Sequence, residues 1–349
     1  MLVGGQGTRL RPLTLSAPKP MLPTAGVPFL THLFSRVKAA GVRRVVLSTS
    51  YQAGVFSDHF GTGADLGLEL EYVTESEPLG TGGGIRNVLD RVASEDVLVF
   101  NGDVLSGVDL RKLVDTHRNG HADVTLHLTR VDDPRAFGSV PTDADGRVQA
   151  FLEKSPDPVT DQVNAGCYVF RRSVLESIPT GRPVSVERET FPALLAAGAV
   201  VLGYVDSTYW LDLGTPATFV RGSADLVLGL APTGALPGPV GQSVVLPGAT
   251  VAPSARLSGG STVGAGCTVG AGATLDAAVL FDGAQVHDGA VVVRSVLGRA
   301  AIVGPGCVVE DAILGDGVVL GARNELRAGA RLWPGVQLRD NALRFSSDA

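Results

Sequence analysis

At 349 residues, with 44% hydrophobic and 18% charged side chains, the chain is long enough for two globular domains. A net charge of −6 leaves no basic footprint for nucleic acid, and no apolar run reaches the roughly 18 residues of a membrane span. Cys167, Cys267 and Cys307 form no close pair, which argues against a zinc site or a disulfide framework and fits a reducing, cytoplasmic location; no signal peptide is visible.

The chain opens with the apolar stub Met1-Leu2-Val3 and then the run Gly4-Gly5-Gln6-Gly7-Thr8-Arg9-Leu10-Arg11-Pro12, followed by Lys19-Pro20-Met21-Leu22-Pro23. Glycines let backbone N–H groups approach an anion, and the basic side chains add fixed positive charge, so the pattern suits a polyphosphate. It is not a P-loop, because no Gly-Lys-Ser/Thr follows. It is not the dinucleotide fingerprint either, because Leu10 stands where the third glycine should be.

Downstream, strands are predicted at 42–49, 66–74 and 96–100, with helices at 28–40, 81–92 and 109–119 between and after them. This alternation predicts an α/β fold: a Rossmann-like, mostly parallel sheet with helices on both faces. Ligands in such sheets sit at the carboxyl ends of strands, where the glycine loop and the turn Asn101-Gly102-Asp103 fall. The predicted catalytic domain is 1–229 and a Pro/Gly linker is 230–242. From 243 to 342 the pattern becomes a six-residue repeat: Val245, Val251, Leu257, Val263, Val269 and Leu275, continuing after one-residue slips through Leu280, Leu297 and Leu314 to Leu338. Hexapeptide repeats build a parallel β-helix, and the slips imply shortened corners. Residues 343–349 read as a tail.

The glycine loop with its Thr-Arg pair and the Lys-Pro-Met-Leu-Pro segment resembles the signature of the sugar-nucleotide pyrophosphorylases, the sugar-1-phosphate nucleotidyltransferases. The hexapeptide half resembles left-handed β-helix domains. The resemblance implies that Arg9 steadies a departing pyrophosphate and that Lys19 meets the α-phosphate and the incoming phosphate. It assigns Leu2, Gly4, Gly5, Gly7, Thr8, Glu75, Gly80 and Thr81 to the nucleotide, and Gly138, Glu153, Lys154, Asn164 and Gly166 to the sugar phosphate. Asp103 and Asp212, the latter in Trp210-Leu211-Asp212-Leu213-Gly214-Thr215-Pro216, match the family's metal carboxylates and imply Mg²⁺. Relatives carry several more residues ahead of the glycine loop, so the first strand is expected to be short here.

Within the family, the resemblance implies GTP and mannose 1-phosphate as substrates and GDP-mannose as product. Glu75 supports guanine, because a carboxylate accepts from both N1–H and N2–H, whereas uracil and thymine suit an amide. Glucose 1-phosphate with UTP, dTTP or ATP is the near alternative. A non-catalytic regulatory subunit of the same architecture and a bifunctional uridylyl- and acetyltransferase are further ones. A homo-oligomer is expected. Ser185-Val186-Glu187-Arg188 resembles another family segment without an assigned role. His117 and His121 have metal-pair spacing, but Asn119-Gly120 predicts a turn between them.

Overall fold

The structure, a computed structural model, describes residues 1–50, 52–153 and 156–344. The chain divides into two compact units: Met1–Gly5 with Arg36–Trp210, and Gln6–Ser35 with Leu211–Ala349. They are called here the α/β unit and the β-helix unit.

In the α/β unit, strand Arg44–Thr49 pairs in parallel with Glu69–Thr74. The N-terminal stub makes parallel bridges from Leu2 to both Ser48 and Asn101. Its backbone is knitted on each side: Leu2 N–H donates to Phe100 O at 2.8 Å and Val3 N–H to Ser48 O at 3.0 Å. The Met1 ammonium donates to Val46 O, and burial pushes its pKa down to about 5. Strand Asp96–Phe100 pairs antiparallel with the long strand Gln162–Arg171, which also runs antiparallel to Val124–Arg130; Val201–Asp206 then adds in parallel to Val124–Arg130.

The sheet is thus parallel from Glu69–Thr74 to Asp96–Phe100, as strand–helix alternation predicts, and becomes mixed where Gln162–Arg171 inserts antiparallel. After Arg130 the chain returns through the short antiparallel strands Gly138–Ser139 and Leu152–Glu153, and antiparallel neighbours need no crossover helix. The core is aromatic at its centre. Tyr168, Phe170 and Phe191 are fully buried, with Phe170 and Phe191 stacked at 5.9 Å. Helix Leu110–Asn119 starts where Asp109 caps it, accepting from Arg111 N–H and Lys112 N–H. His117 is buried against Thr125, and His121 sits at positive φ beyond the helix end, so the two do not share a helix face.

In the β-helix unit, three parallel sheets of six, six and five strands describe five full coils and part of a sixth. Inward residues stack: Val263 on Leu280, Leu280 on Leu297, Leu297 on Leu314. Each is at most 1% exposed. The slips in the repeat all fall at one corner, where Ala277, Arg294 and Asp311 carry positive φ in successive coils. Corners are also stapled coil to coil by aspartates. Asp282 accepts from Ala265 N–H, Asp288 from Ala271 N–H and Asp316 from Arg299 N–H. Helix Pro216–Val227, capped by Thr215, packs on the first sheet, with the Ser223 hydroxyl 3.4 Å from that of Thr262.

Candidate active site

The loop that carries the sequence signature belongs to the β-helix unit from Gln6 onward. Gly7 adopts a left-handed conformation at φ 58°, and a Cβ there would lie 2.9 Å from Thr14 Cγ2 and 3.1 Å from Lys19 Cβ. Only glycine lets this turn fold back on the lysine segment. The Thr14 hydroxyl closes the turn by donating to Gly7 O. Thr8 and Arg9 sit on the exposed face of the helical turn Thr8–Leu10, whose Leu10 is buried.

The Arg9 guanidinium lies against Gly214, where a Cβ would fall 2.5 Å from Nη2. Lys19 is 8% exposed, and its ammonium stands 3.6 Å from Asp212 Oδ1. Thus the loop arginine, the buried lysine and the aspartate of Trp210–Asp212 come together within one unit.

In the α/β unit, Leu2 and Gly4 sit at the end of the short first strand. A Cβ on Gly4 would clash with Ser50 Oγ, whereas Gly5 is open to solvent. Asp103 is half-buried in the turn after strand Asp96–Phe100, where Gly102 N–H donates to Leu2 O. Glu75 is engaged at both oxygens: Oε1 accepts from the Ser48 hydroxyl at 2.8 Å and Oε2 from Leu79 N–H at 3.0 Å. It braces the loop that leads into helix Gly80–Val88.

That helix start is also held by a distant segment of the α/β unit. A Cβ on Gly80 would lie 2.6 Å from Val184 O, and Gly82 N–H and Gly83 N–H both donate to that same carbonyl. The Thr81 hydroxyl donates to Glu187 Oε2 at 2.7 Å, and the Ser185 hydroxyl donates to the same oxygen. The first helical amides are therefore capped by the 184–187 segment, which continues into a π-helical turn, Val186–Thr190. The Ser185–Arg188 motif gains a structural role here that its sequence leaves open.

The described residues assigned to the sugar side, Gly138, Glu153, Asn164 and Gly166, lie on neighbouring antiparallel strands. Gly138 is paired with Glu153, and Val163 with Ser139. The register breaks between Asn164 and Tyr168. At this bulge Asn164 Oδ1 accepts from Gly166 N–H, and Asn164 Nδ2 donates to the Tyr168 hydroxyl at 2.8 Å. Burial, with the Glu187 carboxylate adding to it, holds the Tyr168 phenol well above its usual range, so it remains a neutral hydroxyl. The Trp210 indole donates to Ala165 O and packs edge-on against Phe137 at 5.3 Å. Lys154 lies outside the described residues. Sequence reasoning missed Ser48, Tyr168 and Trp210, whose parts depend on pairing between distant strands.

Among the described residues, no group of three or more His, Cys, Asp or Glu side chains could hold a metal. The cysteines are free and buried, and burial raises all three thiols. No helix among the described residues is long and apolar enough to cross a membrane.

Comparison with known proteins defines the class. The family described as "Nucleotidyl transferase" matches residues 1–227, and the one described as "GMPPB C-terminal domain" matches residues 239–341. The chain belongs to the nucleotidyl transferase family. It is 61% identical over 349 residues to a Mycobacterium tuberculosis protein named mannose-1-phosphate guanylyltransferase, covering 100% of this chain and 97% of that one. A Drosophila pseudoobscura relative named mannose-1-phosphate guanylyltransferase catalytic subunit beta is 40% identical over 263 residues, covering 72% of this chain and 69% of its own. Among solved structures, HddC from Yersinia pseudotuberculosis is 30% identical with a TM-score of 0.58, covering 64% of this chain and 97% of that one. The same protein complexed with GMP-PN gives a TM-score of 0.57.

Proposed function

We propose that this enzyme transfers GMP from GTP to mannose 1-phosphate, releasing pyrophosphate and leaving GDP-mannose. The observation that carries the reading is 61% identity along the whole chain to a protein named for that reaction. The Yersinia relative's complex with GMP-PN supports a guanine base.

A phosphate oxygen of the sugar attacks the α-phosphorus in line, the bond to the β-phosphate's bridging oxygen breaks, and pyrophosphate leaves. The protein does no covalent work. It neutralises charge and aligns the partners. Arg9 meets the departing pyrophosphate. Lys19 meets the α-phosphate and the incoming phosphate, exchanging its resting partner Asp212 for them. Leu2, Gly4, Gly5, Gly7 and Thr8 line the nucleotide, while Glu75, Gly80 and Thr81 shape the base side. Gly138, Glu153, Lys154, Asn164 and Gly166 receive the sugar phosphate.

Asp103 and Asp212 would hold Mg²⁺, which when bound supplies positive charge to the phosphates. The donor chemistry fits. Carboxylate oxygens are the hard donors that Mg²⁺ takes, one or two to a site, with water and phosphate oxygens in the rest of its shell. The enzyme is proposed to work in the cytoplasm as a homo-oligomer. The test is a panel of four nucleoside triphosphates against several sugar 1-phosphates, read by pyrophosphate release. GTP with mannose 1-phosphate should give the highest kcat/KM, and a higher value for another pair overturns the assignment.

A further inference from the structure

We infer that Arg331, in the last partial coil of the β-helix, is a positioning residue for the loop that carries Arg9. On the first sheet of the β-helix, outward residues stack in a column: Val244, Thr262, Val279, Val296 and Ile313. All are 3% exposed or less, so this outward face is covered along its length. The next place in the column is Arg331, paired with Ile313. The repeat thus departs from its β-branched residues at one point, and there it places a permanent cation.

The two N–H groups of Arg331 Nη1 serve two carbonyls, Arg9 O and Arg11 O, each at 2.9 Å. These carbonyls flank Leu10, so one side chain bridges the turn that presents Arg9. The Arg9 side chain is meanwhile pressed against Gly214. Its backbone is fixed from the β-helix and its guanidinium from the segment after Asp212. A fork of donors on a planar group can span two carbonyls, whereas a lysine ammonium is a single point. The β-helix thereby sets the position of the group proposed to receive pyrophosphate. This rests on the reading of the loop as the triphosphate cradle.

The experiment uses the full-length chain with Arg331→Ala and Arg331→Lys. Hydrogen–deuterium exchange should speed up in the loop at residues 8–11 in the alanine variant, with a Tm change of only about 2–4 °C. The kcat/KM for GTP should fall roughly tenfold, as expected for loss of hydrogen bonds from a charged donor. In the reverse direction KM for pyrophosphate should rise, while KM for mannose 1-phosphate stays within about twofold. Lysine should restore part of the loss. A merely structural residue would lower the active fraction and leave the KM values alone. Unchanged exchange at residues 8–11 overturns the clamp, and faster exchange with unchanged GTP and pyrophosphate KM overturns its role in positioning. A wild type that prefers another nucleotide and sugar would instead sink the substrate assignment, and the same comparison would then be run with that pair.

Discussion

The two units are ordered by different rules. In the β-helix each strand pairs with one a single coil away, as Val263 does with Leu280 and Leu280 with Leu297. In the α/β unit Cys167 pairs with Phe100, and Gly203 with Leu126. The first arrangement needs only a local repeat, so one rule written six times suffices. The second needs particular segments to meet across long stretches of chain, and each meeting is unique. The side chains proposed for the chemistry lie in the non-repeating segments; a repeat places the same residue type at every coil. Arg331 is where the repeat departs from its rule, and its contacts are with the loop.

The largest expected effect tests where the chemistry lies. Asp103→Asn and Asp212→Asn should each lower kcat by about 10²-fold or more, the usual cost of removing a preorganised electrostatic group. Circular dichroism should show the fold intact in both. A matched neutralising control in the β-helix, Asp288→Asn, should leave kcat within about twofold, since Asp288 staples Ala271 N–H across a corner. Near-normal kcat in either site variant at saturating Mg²⁺ would remove that aspartate from the metal site and weaken the contrast between the units.

Much of this contrast is legible in the sequence, because local rules leave local marks. The strand expected at 96–100 is Asp96–Phe100, and the helix expected at 109–119 is Leu110–Asn119 with Asp109 as its cap. The hexapeptide column is read correctly, and its one-residue slips are corners. What the sequence hides is partnership. Nothing near Gly80 announces that Val184 O will occupy the space its missing Cβ leaves. Nothing near Arg9 announces Arg331. The mixed sheet escapes notice because the antiparallel strand Gln162–Arg171 is as apolar as a buried parallel one.

Two of the buried histidines, one from each unit, offer a test of intermediate size. Burial lowers His32 and His127 to about 4 from 6.5. A depressed histidine pKa means that the unfolded chain takes the proton first. Stability is fully present above pH 6.5 and is lost as pH falls from 6.5 towards 4, by up to about 3 kcal/mol for each histidine. Their surroundings differ. His32 Nε2 meets Thr24 O at 2.9 Å and Nδ1 meets the Thr233 hydroxyl at 2.8 Å, whereas His127 Nδ1 has no hydrogen-bond partner among the described residues. His127→Leu should therefore flatten the acid limb of a urea midpoint curve at little cost at pH 7. His32→Leu should flatten it too, but lose about 1–3 kcal/mol at pH 7 because the buried Thr24 carbonyl loses its donor. Equal losses at pH 7 would mean that the two environments are not different in kind.

The smallest expected effect concerns Glu75, which lies where the brace of a loop and the reading of a base are hardest to separate. Its two oxygens accept one hydrogen bond each from Ser48 and Leu79. A carboxylate has about four acceptor sites, so two remain for the N1–H and N2–H of guanine. Glutamine can keep the brace: its carbonyl still accepts from Leu79 N–H, and the Ser48 hydroxyl can turn to accept from the amide while donating to Gly84 O, already 3.3 Å away. Glutamine cannot accept from both guanine donors. Glu75→Gln should therefore leave Tm nearly unchanged while kcat/KM for GTP falls by about 1 kcal/mol, within the 1–3 kcal/mol cost of an unsatisfied buried donor. The gap to UTP and dTTP should narrow at the same time. If GTP efficiency and the order of preference both hold while Glu75→Ala destabilises the fold, Glu75 is a brace alone, and the choice of guanine must be made by groups that approach the base from other segments.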